Sequence, residues 1–118
     1  MKPARIDSVA STVLAAQMTE RQLQGSVQQL ATLHGWRWYH VTDSRRTVPG
    51  FPDLVMVHPT QQRVIWAELK RASGRLTADQ KAWIADLEAA GQEVHVWRPT
   101  HLQDGTINAL LTTRKSAG

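Results

Sequence analysis

Two apolar runs, DLVMV at 53–57 and VIWAELK at 64–70, constrain the fold of this chain more than any other feature. Both are short, and their Val, Ile and Trp residues favour a pleated, half-buried surface. The intervening HPTQQ reads as a turn, so the two runs form a hairpin. One feature of this hairpin is anomalous. Strand interiors are depleted in Asp, Glu and Lys. Yet Asp53 opens the first run behind Gly-Phe-Pro, and Glu68-Leu69-Lys70 closes the second. These charges are either solvated strand ends or a site.

The flanking sequence supplies the rest of a fold. Thr19-Glu-Arg-Gln matches a capping box, with Thr19 as N-cap and Gln22 at the third helical position. Leu23, Val27 and Leu30 follow at helical spacing and Gly35 is a stop signal, which predicts a helix over 20–34. WRWYHVT (36–42) reads as a strand and DSRRTVPGFP (43–52) as a basic loop. After the hairpin comes a second basic loop, RASGR. Thr77-Ala-Asp-Gln is a second capping box, with Leu76 as hydrophobic staple, an apolar face of Trp83, Ile84 and Leu87, and Gly91 as the stop. EVHVW (93–97) is the last strand, closed off by Pro99.

The resulting order, αβββαβ, predicts an α/β fold: a mixed four-stranded sheet flanked by helices. A crossover helix joins the third and fourth strands, so that pair is expected to be parallel. Residues 1–18 form an N-terminal arm or short helix, with Ile6, Val9, Val13 and Leu14 at helical spacing. The domain proper spans 19–99. Residues 100–118 are a C-terminal extension of it, with a short element through Ile107, Leu110 and Leu111 and a frayed end.

At 118 residues the chain is one domain on length priors. Fourteen Lys and Arg against ten acidic residues give a net charge of +4, which favours a polyanionic partner. With no cysteine, disulfides and thiolate metal sites are excluded. No apolar run approaches the ~20 residues that cross a bilayer, so no membrane partner is expected. IDSVASTVLAAQ is a poor signal-peptide core, and the expected location is the cytoplasm: the nucleoid or a phage-infected host cell.

Side chains alternate faces along a strand, so Glu68 and Lys70 point the same way and Leu69 the other. A turn centred near Gln61 would put Asp53 opposite residues close to Lys70. Two carboxylates and an ammonium then share one end of the sheet. Paired carboxylates repel unless a cation compensates them, and hard oxygen ligands suit Mg²⁺ or Mn²⁺. The Leu69 carbonyl is placed to add another oxygen. Such an ion polarises a phosphoryl group and acidifies a bound water, and Lys70 is placed to orient that water. These parts suit phosphodiester hydrolysis.

Pro52-Asp53, fourteen intervening residues, and Glu68-Leu69-Lys70 resemble the PD-(D/E)xK nuclease signature. With SRRTVPGFPDLV, AELK and GRLTADQKAWIADLEAAGQEVHVWRP in order from Thr19 to Pro99, the chain resembles the VRR-NUC family, the virus-type replication and repair nucleases. That resemblance implies a restriction-endonuclease-like core and a Mg²⁺- or Mn²⁺-dependent endonuclease acting on branched or structured DNA. Stand-alone members look like Holliday-junction resolvases and work as homodimers. By the same resemblance, Asp53 and Glu68 are metal ligands, Lys70 positions or activates water, and Gln80 supports the site through a hydrogen bond. Glu20 and Gln24, one turn apart, are the candidates for the polar or acidic residue of the first helix, with Glu20 a candidate metal ligand.

Ser44, Arg45 and Arg46 precede Asp53, and Arg71 and Arg75 follow Lys70, as candidate phosphate contacts on either side of a scissile bond. His40, close to the first of these loops, is a further candidate. His34, His58, His95 and His101 lack zinc-site spacing. The five tryptophans fit a core or a dimer interface better than base stacking. A dimer also follows from symmetry, since resolving a two-fold junction needs two cuts and one small domain has one site. Two alternatives stay open: a repair or restriction-like nickase acting on flaps or duplex DNA, and a nuclease-fold DNA-binding module that cleaves nothing. Retention of Asp53, Glu68 and Lys70 together argues against the second.

Overall fold

Thr19 starts the first core helix as its neighbours dictate. Its side chain accepts from the Gln22 N–H at 3.0 Å, and the Gln22 side chain accepts from the Thr19 N–H at 2.9 Å. Two of the orphan donors at a helix start are thereby satisfied. The computed structural model describes residues 4–41 and 48–112, and of residues 4–9 and 11 it describes the backbone only. The elements are α1 (Ala4–Gln17), α2 (Glu20–Leu33), β1 (Arg37–His40), β2 (Leu54–His58), β3 (Arg63–Leu69), α3 (Ala78–Ala89), β4 (Glu93–Trp97), α4 (Pro99–Gln103) and α5 (Thr106–Thr112).

The strands form one mixed sheet in the order β1-β2-β3-β4. β1–β2 and β2–β3 are antiparallel, and β3–β4 is parallel across the α3 crossover. With helices on both faces, this is the α/β arrangement expected from the element order, and it is consistent with the restriction-endonuclease-like core that the resemblance implies.

Period-two alternation sorts the strands into two faces. Leu54 and Met56 of β2, Ile65, Ala67 and Leu69 of β3, and Trp97 of β4 point to one side. There they meet Leu23, Val27 and Ala31 of α2 and Ile107 and Leu111 of α5. Each large apolar side chain fully buried in that layer contributes about 1.5–3 kcal/mol.

The C-terminal extension is therefore part of the core. Pro99 does more than close the last strand: it begins α4, where its missing N–H costs nothing. Three side chains hold the end of α5, one of them Gln61, whose Nε2 donates to the Leu111 carbonyl at 3.0 Å. Trp36 Nε1 donates to the Leu111 carbonyl at 2.9 Å, and Arg63 Nη1 donates to the Leu110 carbonyl at 2.7 Å. Buried Arg63 also makes a two-pronged pair with Glu93, at 3.1 and 2.6 Å, and lies over the Trp36 ring. In the sequence Arg63 falls between the 58–62 turn and the 64–70 strand, and nothing around it marks these distant partners.

The opposite face is covered by α3. Trp83, Ile84 and Leu87 are only half-buried there, so this helix contributes less to the core than its apolar face suggests. Phe51 bridges the layer, edge-on to both Trp66 (6.0 Å) and Trp83 (5.1 Å). Gly50 makes that approach feasible. Its φ is +86°, and a Cβ there would sit 2.4 Å from the Asp79 backbone. The Gly-Phe-Pro ahead of Asp53 thus docks on the first turn of α3. Among the described residues, no helix is long and apolar enough to cross a membrane.

Candidate active site

The β2–β3 turn fixes which residues meet. Gln62 adopts φ +56° and its N–H donates to the Pro59 carbonyl, closing a turn between His58 and Arg63. Pairing of Leu54 with Ala67 places Asp53, one step back, across from Glu68. Asp53 thus lies opposite a residue close to Lys70, as expected of a turn centred near Gln61. Asp53 is anchored by its backbone and its side chain. Its carbonyl accepts from the Val41 N–H at 3.4 Å, and its Oδ2 accepts from the Leu69 N–H at 2.8 Å.

Glu68 lies on the same face, 2% exposed, with Lys70 beside it at 8%. The Lys70 N–H donates to the Trp97 carbonyl at 3.0 Å, extending the parallel ladder past the strand end. Gln80 completes this wall. Its Nε2 donates to Glu68 Oε1 at 2.9 Å, while its Oε1 accepts from the Thr77 N–H at 2.9 Å. The capping role and the site role do not compete, because an amide has a donor end and an acceptor end.

The electrostatics follow from burial. Desolvation raises Asp53 above the usual carboxylate range, opposed by the Leu69 N–H. Desolvation, then the adjacent Asp53 charge and a hydrogen bond to it, push Glu68 up to about 8. With its carboxyl at about 8, Glu68 keeps a proton at neutral pH and shares it with Asp53 through their hydrogen bond. Lys70 lowers both and Glu20 raises both, so both residues lie within electrostatic reach.

Glu20, at the first position of α2, approaches the loop after Lys70: a Cβ on Gly74 would lie 3.4 Å from its Oε2. Gln24 is half-buried one turn further along. His40 pairs with Leu54, which turns it to the α2 face, away from Asp53 and Glu68. Arg71 and Arg75 are exposed on the loop beyond Lys70. Ser44, Arg45 and Arg46 lie outside the described residues.

Arg98 is a residue that sequence reasoning missed. Its Nη1 donates to the carbonyls of Arg71 at 2.9 Å, Gly74 at 2.7 Å and, more weakly, Ala72 at 3.4 Å. No local pattern marks an Arg between a strand and a proline for this task.

The donor set suits a hard divalent cation. Among the described residues, no group of three or more His, Cys, Asp or Glu side chains gathers in one place. What converges is two carboxyls with raised proton affinity, next to the Leu69 carbonyl position. One oxygen of each carboxyl is tied to a protein donor, Leu69 N–H or Gln80 Nε2, and the second is what remains for a ligand. An ion held there would displace that proton, as metal binding to protonated ligands does.

No curated protein and no solved structure gave a match to this chain. The family model for the VRR-NUC domain matches residues 7–100, well over half of the length, and that span contains Asp53, Glu68, Lys70 and Gln80. Domains of this type are nucleases of the PD-(D/E)xK superfamily, whose substrate is DNA and whose members usually use divalent metal ions. The chain belongs to the VRR-NUC domain family.

Proposed function

We propose that this protein is a divalent-metal-dependent endonuclease that hydrolyses phosphodiester bonds in branched or structured DNA, in the manner of a Holliday-junction resolvase. The observation that carries the chemistry is the half-buried Asp53 beside the buried Glu68 at the end of the hairpin, with buried Lys70 next to them. Asp53, Glu68 and the Leu69 carbonyl would hold Mg²⁺ or Mn²⁺, with Glu20 in reserve at the edge. A bound ion of this kind supplies Lewis acidity toward the phosphoryl oxygen and a more acidic water.

The protein's own groups do the rest. Leu69 N–H and Gln80 Nε2 fix the rotamers of the two carboxylates, as outer partners of ligands do elsewhere. Lys70, whose backbone is tied to the Trp97 carbonyl, orients the attacking water and offsets charge developing on the phosphoryl group. Arg71 and Arg75 hold flanking phosphates. Two such sites in a homodimer would cut a two-fold junction symmetrically.

The experiment is incubation of the purified protein with a fluorescent four-way junction and a matched linear duplex, in Mg²⁺, Mn²⁺ or EDTA. Metal-dependent symmetric nicks confined to the junction support this reading. Cutting of flaps or linear duplex would replace it with a nickase. Absence of cutting by folded, metal-loaded protein would leave only a binding module.

A further inference from the structure

The loop from Arg71 to Arg75 is shaped from behind by a residue far away in sequence. Arg98 reaches it from the junction of β4 and α4, where its own N–H donates to His101 Nδ1 at 2.9 Å. From there its Nη1 gathers the carbonyls of Arg71, Ala72 and Gly74. The Gly74 N–H closes the turn on the Arg71 carbonyl at 3.0 Å.

A trans peptide is planar, with its C=O and N–H pointing in opposite directions. Turning the Arg71, Ala72 and Gly74 carbonyls inward therefore turns the N–H groups of Ala72, Ser73 and Arg75 outward. Arg71, Ala72, Ser73 and Arg75 are all exposed, so the outer surface of this loop presents backbone donors together with two guanidinium groups. Neighbouring backbone N–H groups on one side of a turn can bind anions. The loop begins one residue after Lys70.

Resting on the nuclease reading above, we infer that the outer face of the 71–75 loop grips a DNA backbone phosphate through the N–H groups of Ala72, Ser73 and Arg75, and that Arg98 is the positioning residue that aims them. Arg98 faces the carbonyl side and does not itself contact the phosphate. Its role is to keep a short, exposed, glycine-containing turn in one conformation.

The test uses the full-length protein, a short linear duplex, and Ca²⁺ or EDTA in place of a cleaving metal. In wild-type protein, addition of duplex should shift the ¹⁵N–¹H signals of Ala72, Ser73 and Arg75. In Arg98→Ala those shifts should vanish and the duplex Kd should rise about tenfold, as expected for losing a few hydrogen bonds to a charged acceptor. With a cleaving metal, KM should rise in parallel while kcat at saturating DNA stays within about twofold of wild type. Arg98→Lys, which keeps a cation able to reach these carbonyls, should recover part of the affinity and part of the shifts.

Silent loop amides in wild-type protein that has bound DNA would overturn the inference, whether or not Arg98→Ala folds. So would a folded Arg98→Ala that binds as wild type does. Wild-type protein that binds neither the duplex nor a four-way junction would instead sink the nuclease reading on which the inference rests.

Discussion

Gln80 holds Glu68 and caps its own helix with one side chain: Nε2 donates to Glu68 Oε1 while Oε1 accepts from the Thr77 N–H, both at 2.9 Å. The wall that holds Glu68 and the start of α3 are thereby one unit. Gly50 and Phe51 pack on that same helix immediately before Asp53. The two carboxyls are thus positioned from both sides of the sheet end by a single helix start.

Gln80→Glu separates the two roles. A carboxylate still accepts from the Thr77 N–H, so unfolding stability should change by less than about 1 kcal/mol. The donor to Glu68 is replaced by a like charge, and activity or metal affinity should fall by roughly 10–100-fold. Gln80→Ala should lose the same activity and also about 1 kcal/mol of stability. Denaturant melts beside cleavage rates read both. Wild-type activity in Gln80→Glu would contradict the role given to this hydrogen bond.

The raised carboxyl of Glu68 makes the metal-free protein sensitive to pH. A group whose pKa is about 8 folded and 4.5 unfolded binds its proton more tightly in the folded state. Its contribution is fully present below about 4.5 and is lost as pH rises through about 8. In EDTA, thermal stability should therefore fall between pH 5 and about 8.5, and Glu68→Gln should flatten this slope. Glu93, raised by burial but held below its ordinary value by Arg63 and His95, acts at lower pH and in the opposite sense. Saturating Mg²⁺ or Mn²⁺ should remove most of the slope by displacing the shared proton. An identical slope in wild type and Glu68→Gln would rule out the shared proton.

Truncation at the C-terminal helix tests how far the core extends. Leu111→Ala and Ile107→Ala empty fully buried positions and should each cost about 2–5 kcal/mol. Leu14→Ala, at a site 60% exposed, should stay within about 0.5 kcal/mol. Equilibrium unfolding in urea compares them. A cost at Leu111 near that of Leu14 would show that α5 is not part of the folded core.

Local signals made most of the scaffold legible. Thr19 and Thr77 start their helices where their capping boxes say, and the 93–97 strand falls where its β-branched pattern puts it. The alternation of Glu68, Leu69 and Lys70 places Glu68 beside Asp53, because a period of two is set by the backbone itself. What stayed hidden depends on tertiary contact. Arg98 acts on carbonyls more than twenty residues away, and Arg63 pairs with Glu93 thirty residues on, so neither leaves a trace in its own neighbourhood. His40 was misplaced for a simpler reason. Nearness in sequence to a loop says nothing about strand face, and its pairing with Leu54 turns it away from the carboxyls.

The central claim is that the Asp53–Glu68–Lys70 cluster hydrolyses DNA at branch points when a divalent ion is bound. The most direct measurement is cleavage of a labelled four-way junction by wild type, Asp53→Asn and Lys70→Ala, each with Mg²⁺, Mn²⁺ or EDTA, alongside junction affinity measured in Ca²⁺. Wild type should nick the junction symmetrically only with Mg²⁺ or Mn²⁺. Both variants should lose cleavage by at least about a thousandfold, on the scale of removing a group that acts in the transition state, while Lys70→Ala keeps its affinity within a few-fold. Turnover retained in folded Lys70→Ala, or wild-type cleavage that persists in EDTA, would contradict the account.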